Sequence, residues 1–182
     1  MERRQAIKNI ALGLGLTIST PTILNILSSC NSENKSSKTL FLTSQQEYVI
    51  THLSDIIIPV LDEQDRNELD LVQFIDKMIY HTVEKKKKEL FNLGGQQFEK
   101  AFQSRFDQNS MNGSRKEYQE LLDSYFSISQ EDQKLLFEQL DLDIADIPEN
   151  KKTSLLTYHF LTTIRQYSLL GYYTSKIYYE KQ

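Results

Sequence analysis

The sequence predicts an all-α protein: a small irregular domain of about five to six helices that follows a signal peptide and a flexible tether. Three observations predict it. Apolar residues recur at three- and four-residue spacing through most of the chain. No segment alternates apolar and polar residues as a half-buried strand would. Only three prolines interrupt 182 residues. Hydrophobic residues make up 39% and charged residues 25%, which permits a modest core and excludes global disorder. The expected division is a signal peptide over 1–29, a polar tether over 30–41 and one helical domain over 42–182.

The first segment, "MERRQAIKNIALGLGLTISTPTILNILSSC", has the layout of an export signal. Arg3, Arg4 and Lys8 form a basic start. Apolar stretches at Ile10–Ile18 and Ile23–Leu27 follow, and small residues precede Cys30. Pro21, Thr22 and Asn25 interrupt the run, so it falls short of the ~20 apolar residues that a membrane span needs. Arg3-Arg4 resembles a twin-arginine signal, and Gly13, Gly15, Thr17 and Ser19 dilute the apolar run in keeping with that route. Leu27-Ser28-Ser29-Cys30 resembles a bacterial lipobox. In that pattern cleavage leaves the cysteine first in the chain, with a diacylglycerol on its sulfur. With further acylation the anchor becomes stable, each buried methylene contributing about 0.8 kcal/mol. From Asn31 to Lys38, "NSENKSSK" has no apolar residue and reads as the flexible tether.

The helices follow in order. Thr43 with Gln46 reads as a capping box. Val49, Ile50, Leu53, Ile56 and Ile57 form the first apolar stripe, which Pro59 ends. "DEQDRNELD", Asp62–Asp70, is expected to be a charged loop; it lacks the glycine and spacing of a calcium loop. Leu71, Phe74, Ile75, Met78 and Ile79 form the second stripe. Lys85–Lys88 is read as a solvated face flanked by Glu84 and Glu89. Leu90, Leu93, Phe98, Phe102 and Phe106 give a third helix, loosened at Gly94-Gly95. A loop spans Asp107–Ser114. Tyr118, Leu121, Leu122 and Tyr125 give a fourth helix, and Ser129 with Asp132 caps a fifth through Leu140. After a turn-rich connection, the last helix is expected from about Lys151 to Leu170, with Gly171 as its left-handed stop. Four tyrosines, Tyr172, Tyr173, Tyr178 and Tyr179, crowd the tail behind it.

Motifs for chemistry are sparse. One cysteine makes no internal disulfide, no haem attachment and no multi-cysteine metal site. None of His52, His81 and His159 has a histidine four residues on, so no helix offers a two-histidine metal face. No phosphate-cradling glycine loop and no nucleophile motif occurs. The formal charge is −4; residues 1–29 carry +2, so the body is −6. That acidity argues against a nucleic-acid partner. An enzyme reading needs a cluster drawn from His52, Asp55, Asp76, His159 and Arg165, and their spacing does not compel one.

The tail carries a resemblance. "LLGYYTSKI", Leu169–Ile177, resembles the closing motif of the gluconate 2-dehydrogenase subunit 3 family. "LSDIIIPV", Leu53–Val60, is similar to that family's first helix, which ends in Ile-Ile-Pro, and "VQFIDKMI", Val72–Ile79, to its Val-x-x-Phe-Ile-Asp segment. "SISQEDQKLLFEQLD", Ser127–Asp141, is similar to a later helix start. The chain departs from the family after Pro59, where only Asp62 of the usual loop is retained.

The resemblance implies a non-catalytic accessory, or gamma, subunit. Its large partner would hold FAD and oxidise a sugar or sugar acid, and a cytochrome c subunit with haem c could take the electrons. This chain itself would hold no cofactor and no metal. It would sit on the periplasmic side of a bacterial cell envelope, with Arg3 and Arg4 directing export; anchoring through lipidated Cys30 is the expectation of the lipobox pattern, which is not general in the family. Gly171, Tyr172, Tyr173, Thr174 and Ser175 are the expected partner interface, since tyrosine combines contact area with a polar tip. Packing of the same tyrosines back onto the domain is the other reading of the tail. Outside this family, the alternative is a stand-alone lipoprotein that binds a ligand or another envelope protein.

Overall fold

The computed structural model describes residues 18–30, 38–140 and 144–180, and among them helices and turns account for all regular structure. Arg3, Arg4 and most of the tether lie outside the described residues. No described helix is long and apolar enough to cross a membrane. The helices are α1 (Thr20–Cys30), α2 (Ser44–Ile57), α3 (Glu63–Glu68), α4 (Leu71–Thr82), α5 (Lys85–Phe106), α6 (Arg115–Phe126), α7 (Gln130–Leu140), α8 (Glu149–Thr174) and α9 (Lys176–Glu180). The described residues form two compact units, the first drawn from 18–30, 38–83 and 164–180, the second from 84–140 and 144–163. Helix α8 contributes to both.

In the first unit α4 is the central element. Its stripe of Leu71, Phe74, Ile75, Met78 and Ile79 is buried throughout, as the sequence spacing predicts. Helix α2 starts at the expected capping box: Thr43 Oγ1 accepts from Gln46 N–H, and Gln46 Oε1 accepts from Thr43 N–H. Helix α1 buries Ile23, Ile26 and Leu27 and packs on α4.

The charged stretch after Pro59 is not a loop throughout. Asp62 and Asp65 cap each other's backbone N–H groups and start α3. Arg66 then holds Asp55 at 2.8 Å. Negative composition had concealed a helix start, because carboxylates at a first turn both cap and complement the helix dipole.

The second unit is built on rings. Phe91, Phe98, Phe102, Tyr118 and Phe160 are each at most 1% exposed, and Phe98 meets Phe102, Tyr118 and Phe160 at centroid distances of 5.7 to 6.2 Å. Helix α5 begins at the lysine run and passes through Gly94-Gly95 without a break. A Cβ at Gly94 would overlap the Leu156 carbonyl oxygen and lie 2.8 Å from Phe160 Cβ, so the glycine permits a close crossing with α8. Asp107 ends α5 in the left-handed conformation, φ 54°. Beyond it the Glu99 carboxylate accepts from Ser110 N–H and Oγ–H, while Tyr118 donates its hydroxyl to Ser110 O at 2.9 Å.

Candidate functional site

The tail motif lies in the first unit, and its geometry begins with Gly171. Helix α8 does not stop there but continues to Thr174, so the expected left-handed cap is absent. A glycine inside a helix costs about 0.5–1 kcal/mol relative to alanine. Here close approach requires it: a Cβ would lie 2.8 Å from Leu71 Cδ2 and 2.9 Å from Phe74 Cδ1, both on α4. In sequence, a glycine at a helix end and a glycine at a helix crossing look the same.

Thr174 and Ser175 turn inward as well. Thr174 is fully buried, and its hydroxyl donates to Leu170 O at 2.7 Å. Ser175, 3% exposed, donates to Tyr172 O at 2.7 Å and accepts from Tyr178 N–H at 3.3 Å, which starts α9. That turn brings the tyrosines together. Tyr178 meets Tyr172 and Tyr173 edge-on at 5.5 and 4.9 Å, and Tyr173 lies 5.4 Å from Tyr172. Tyr172, Tyr173 and Tyr178 are half-buried, and Tyr179 is 37% exposed. Of the five residues expected at a partner interface, Tyr172 and Tyr173 therefore keep side-chain surface for one, while Gly171, Thr174 and Ser175 organise the tail.

Asp76 has a role that the spacing did not disclose. It is 2% exposed, and its carboxylate accepts three backbone N–H groups, from Leu40 at 2.8 Å and from Phe41 and Leu42 at 2.9 Å. Three charge-assisted bonds fasten residues 40–42, where the expected tether meets the domain, onto α4. The legible signal was a lone aspartate inside an apolar stripe. Ser54 and Ser168, both buried, share a hydrogen bond at 3.1 Å in the same unit.

The residues of the enzyme reading do not converge. His52 Nδ1 lies 3.0 Å from Tyr48 O, and its ring packs on Tyr48 at 4.4 Å. Asp55 is engaged by Arg66, and Asp76 by the 40–42 backbone. Arg165 is exposed. His159 belongs to the second unit, where it lines a small apolar cavity with Leu90, Leu140, Ile147 and Leu155. Its Nδ1 is buried without a hydrogen-bond partner. Burial, with a smaller contribution from the Lys87 charge, holds the imidazole pKa below its usual value and keeps the ring neutral. Among the described residues no group of three or more His, Cys, Asp or Glu could hold a metal ion.

Cys30 closes α1 and is half-buried. Burial raises its thiol pKa, against a lowering influence from Lys77. Lys77 donates to Ser29 O at 2.9 Å and to Ser29 Oγ at 3.2 Å.

A second exposed surface lies on α7. None of its residues is buried, and Leu135 and Phe137 are 49% and 45% exposed. Leu135 and Leu136 border a shallow groove with Ile128, Leu155 and Tyr158.

No curated protein and no solved structure matches the chain. The family model described as "Gluconate 2-dehydrogenase subunit 3" matches residues 44–182, which take in α2, Asp76 but not the 40–42 backbone it holds, the aromatic unit and the tyrosine tail. This chain belongs to the gluconate 2-dehydrogenase subunit 3 family.

Proposed function

We propose that this chain is a non-catalytic accessory subunit of an FAD-dependent gluconate or sugar dehydrogenase in the bacterial cell envelope. It supports folding, export or stability of the large subunit, which holds FAD and carries out the oxidation; a cytochrome c subunit is a further partner. The observation that carries this reading is the family match across 44–182, since the family's description names a subunit of a larger enzyme. In the same reading Arg3 and Arg4 direct export, and Cys30 is lipidated on the periplasmic side of a membrane.

Two surfaces suit a partner. The half-buried Tyr172 and Tyr173 present ring edges and hydroxyls on a tail that is already ordered, so little entropy is lost on docking. Leu135 and Phe137 on α7 offer exposed apolar area.

The test is affinity purification of the tagged chain from its native membrane, followed by an absorbance spectrum of the eluate. The expected result is a larger co-purifying band with a flavin spectrum. A colourless eluate holding this chain alone would sink the accessory-subunit reading and favour a stand-alone lipoprotein.

A further inference from the structure

We propose that the folded domain clasps its own processing site: while α1 is docked on α4, the Ser29–Cys30 peptide is withheld from acylation and cleavage, so Cys30 is processed only when α1 is undocked. The proposal deepens the lipid-anchor reading above and rests on it, whereas the docking of α1 on α4, which the first test reads, does not.

The geometry places three obstacles at one bond. Ser29 and Cys30 form the last turn of α1, and helical backbone must unwind before a peptidase can bind it, cleavage being favoured at exposed, irregular segments. The carbonyl of the bond to be cut, Ser29 O, is held by the Lys77 ammonium at 2.9 Å, from a residue 48 positions away. The helix cannot lift locally, because Ile23 is fully buried and Ile26 and Leu27 are 7% and 5% exposed.

The chemistry shows why these contacts matter. Lipidation requires Cys30 Sγ to displace the phosphorylated headgroup of a phospholipid and take up its diacylglyceryl group as a thioether. A C–S bond forms, the C–O bond to phosphate breaks, and the thiol proton passes to the departing phosphate. Water then splits the Ser29–Cys30 amide and frees the α-amine of Cys30. The first step needs an accessible thiolate, and partial burial of Cys30 opposes both access and ionisation. The second needs a carbonyl that Lys77 no longer occupies.

Cys30 is the sole cysteine, so alkylation of the full-length precursor by N-ethylmaleimide reports on this position alone. The native precursor is expected to react about tenfold or more slowly than the urea-unfolded chain, as for a group reached by local opening. Lys77→Ala should speed the native reaction, and Ile23→Asp should speed it further. If Ile23→Asp fails to fold, Lys77→Ala decides. A native rate equal to the unfolded rate, or one unmoved by Lys77→Ala, overturns the clasp.

The second measurement is the fraction of chain carrying an acylated Cys30 at its N-terminus, by mass spectrometry from an exporting bacterial host. That fraction should rise in Lys77→Ala. An unchanged fraction overturns the link between docking and processing. If no variant is ever acylated, the lipid-anchor reading fails and takes this control with it, whereas slow alkylation of the native precursor would still establish the docked helix.

Discussion

The least exposed side chains of the first unit are largely aliphatic: Ile23, Ile50, Leu53, Ile75, Met78, Ile79, Ile164 and Leu170, with Phe74 as the one ring. Those of the second are rings: Phe91, Phe98, Phe102, Tyr118 and Phe160, joined by Leu161. The polar fastenings differ too. The first unit buries a carboxylate, Asp76, against three backbone N–H groups and pairs Ser54 with Ser168. The second places Glu99 and the Tyr118 hydroxyl around Ser110 and leaves His159 Nδ1 unpaired. Aliphatic side chains fill space without preferred ring geometry, so the first unit relies on directional bonds to hold its strap. Rings bury more area per residue, so the second sustains its core with fewer side chains.

Four measurements would break or sharpen that contrast. The largest effect is expected from Phe98→Ala, which removes a ring that touches three others. It should cost about 3–5 kcal/mol in urea unfolding. Amide exchange should quicken most between Glu84 and Thr163. Equal quickening on both sides of that boundary would mean that the two units do not differ in what holds them.

Asp76→Ala comes next. It strands the N–H groups of Leu40, Phe41 and Leu42, at a cost of about 3 kcal/mol if one to two of them remain without a partner. The loss of protection should now fall in the first unit. Asp76→Asn keeps the shape and one neutral acceptor oxygen, enough for the two N–H groups that share one carboxylate oxygen but not for the third, and should cost about half as much. If Asp76→Ala unfolds no more easily than the parent, the strap contributes nothing.

Gly171→Ala adds one methyl where α8 crosses α4. Intrinsic helix propensity favours alanine by about 0.5–1 kcal/mol, whereas overpacking costs about 1–3 kcal/mol. Net destabilisation is therefore expected, because Leu71 and Phe74 are themselves buried and have little room to move. A stabilised Gly171→Ala protein would mean that the crossing can relax.

The smallest effect belongs to pH. His159 is neutral in the fold with its pKa lowered from 6.5, so the unfolded chain binds the proton more readily. The contribution of the neutral ring is complete above pH 6.5 and is lost as the pH falls through the folded-state value. His159→Phe should flatten stability against pH on that acid side and leave the first unit's exchange unchanged. An unaltered acid slope would exclude His159 as its source.

Legibility in the sequence followed the range of each interaction. The Thr43–Gln46 box and the Ser129–Asp132 cap were readable because cap and partner lie three residues apart. The α4 stripe was readable because its period is that of the helix. The box at Asp62–Asp65 is equally local, yet it sat among so many charges that composition suggested a loop. Gly171, Asp76 and Lys77 were not readable in the same way. Their partners lie 34 to 100 positions distant, at Leu71, Leu40 to Leu42 and Ser29 among others, and of the three only Asp76 is marked locally, as a lone aspartate in an apolar stripe.

The sequence by itself determined the all-α class, most helix positions, the acidic body and the family resemblance, all of which rest on spacing, composition and short motifs. The tertiary structure decided what those residues do. It turned an expected helix stop at Gly171 into a crossing point, since only the approach of α4 makes a Cβ intolerable there. It turned Asp76 from a candidate acid into a backbone clasp, since three N–H groups converge on it only after the chain has folded back. It also seated Thr20–Cys30 against α4, because an apolar stretch short enough to serve as a signal is also long enough to be a helix that buries its stripe.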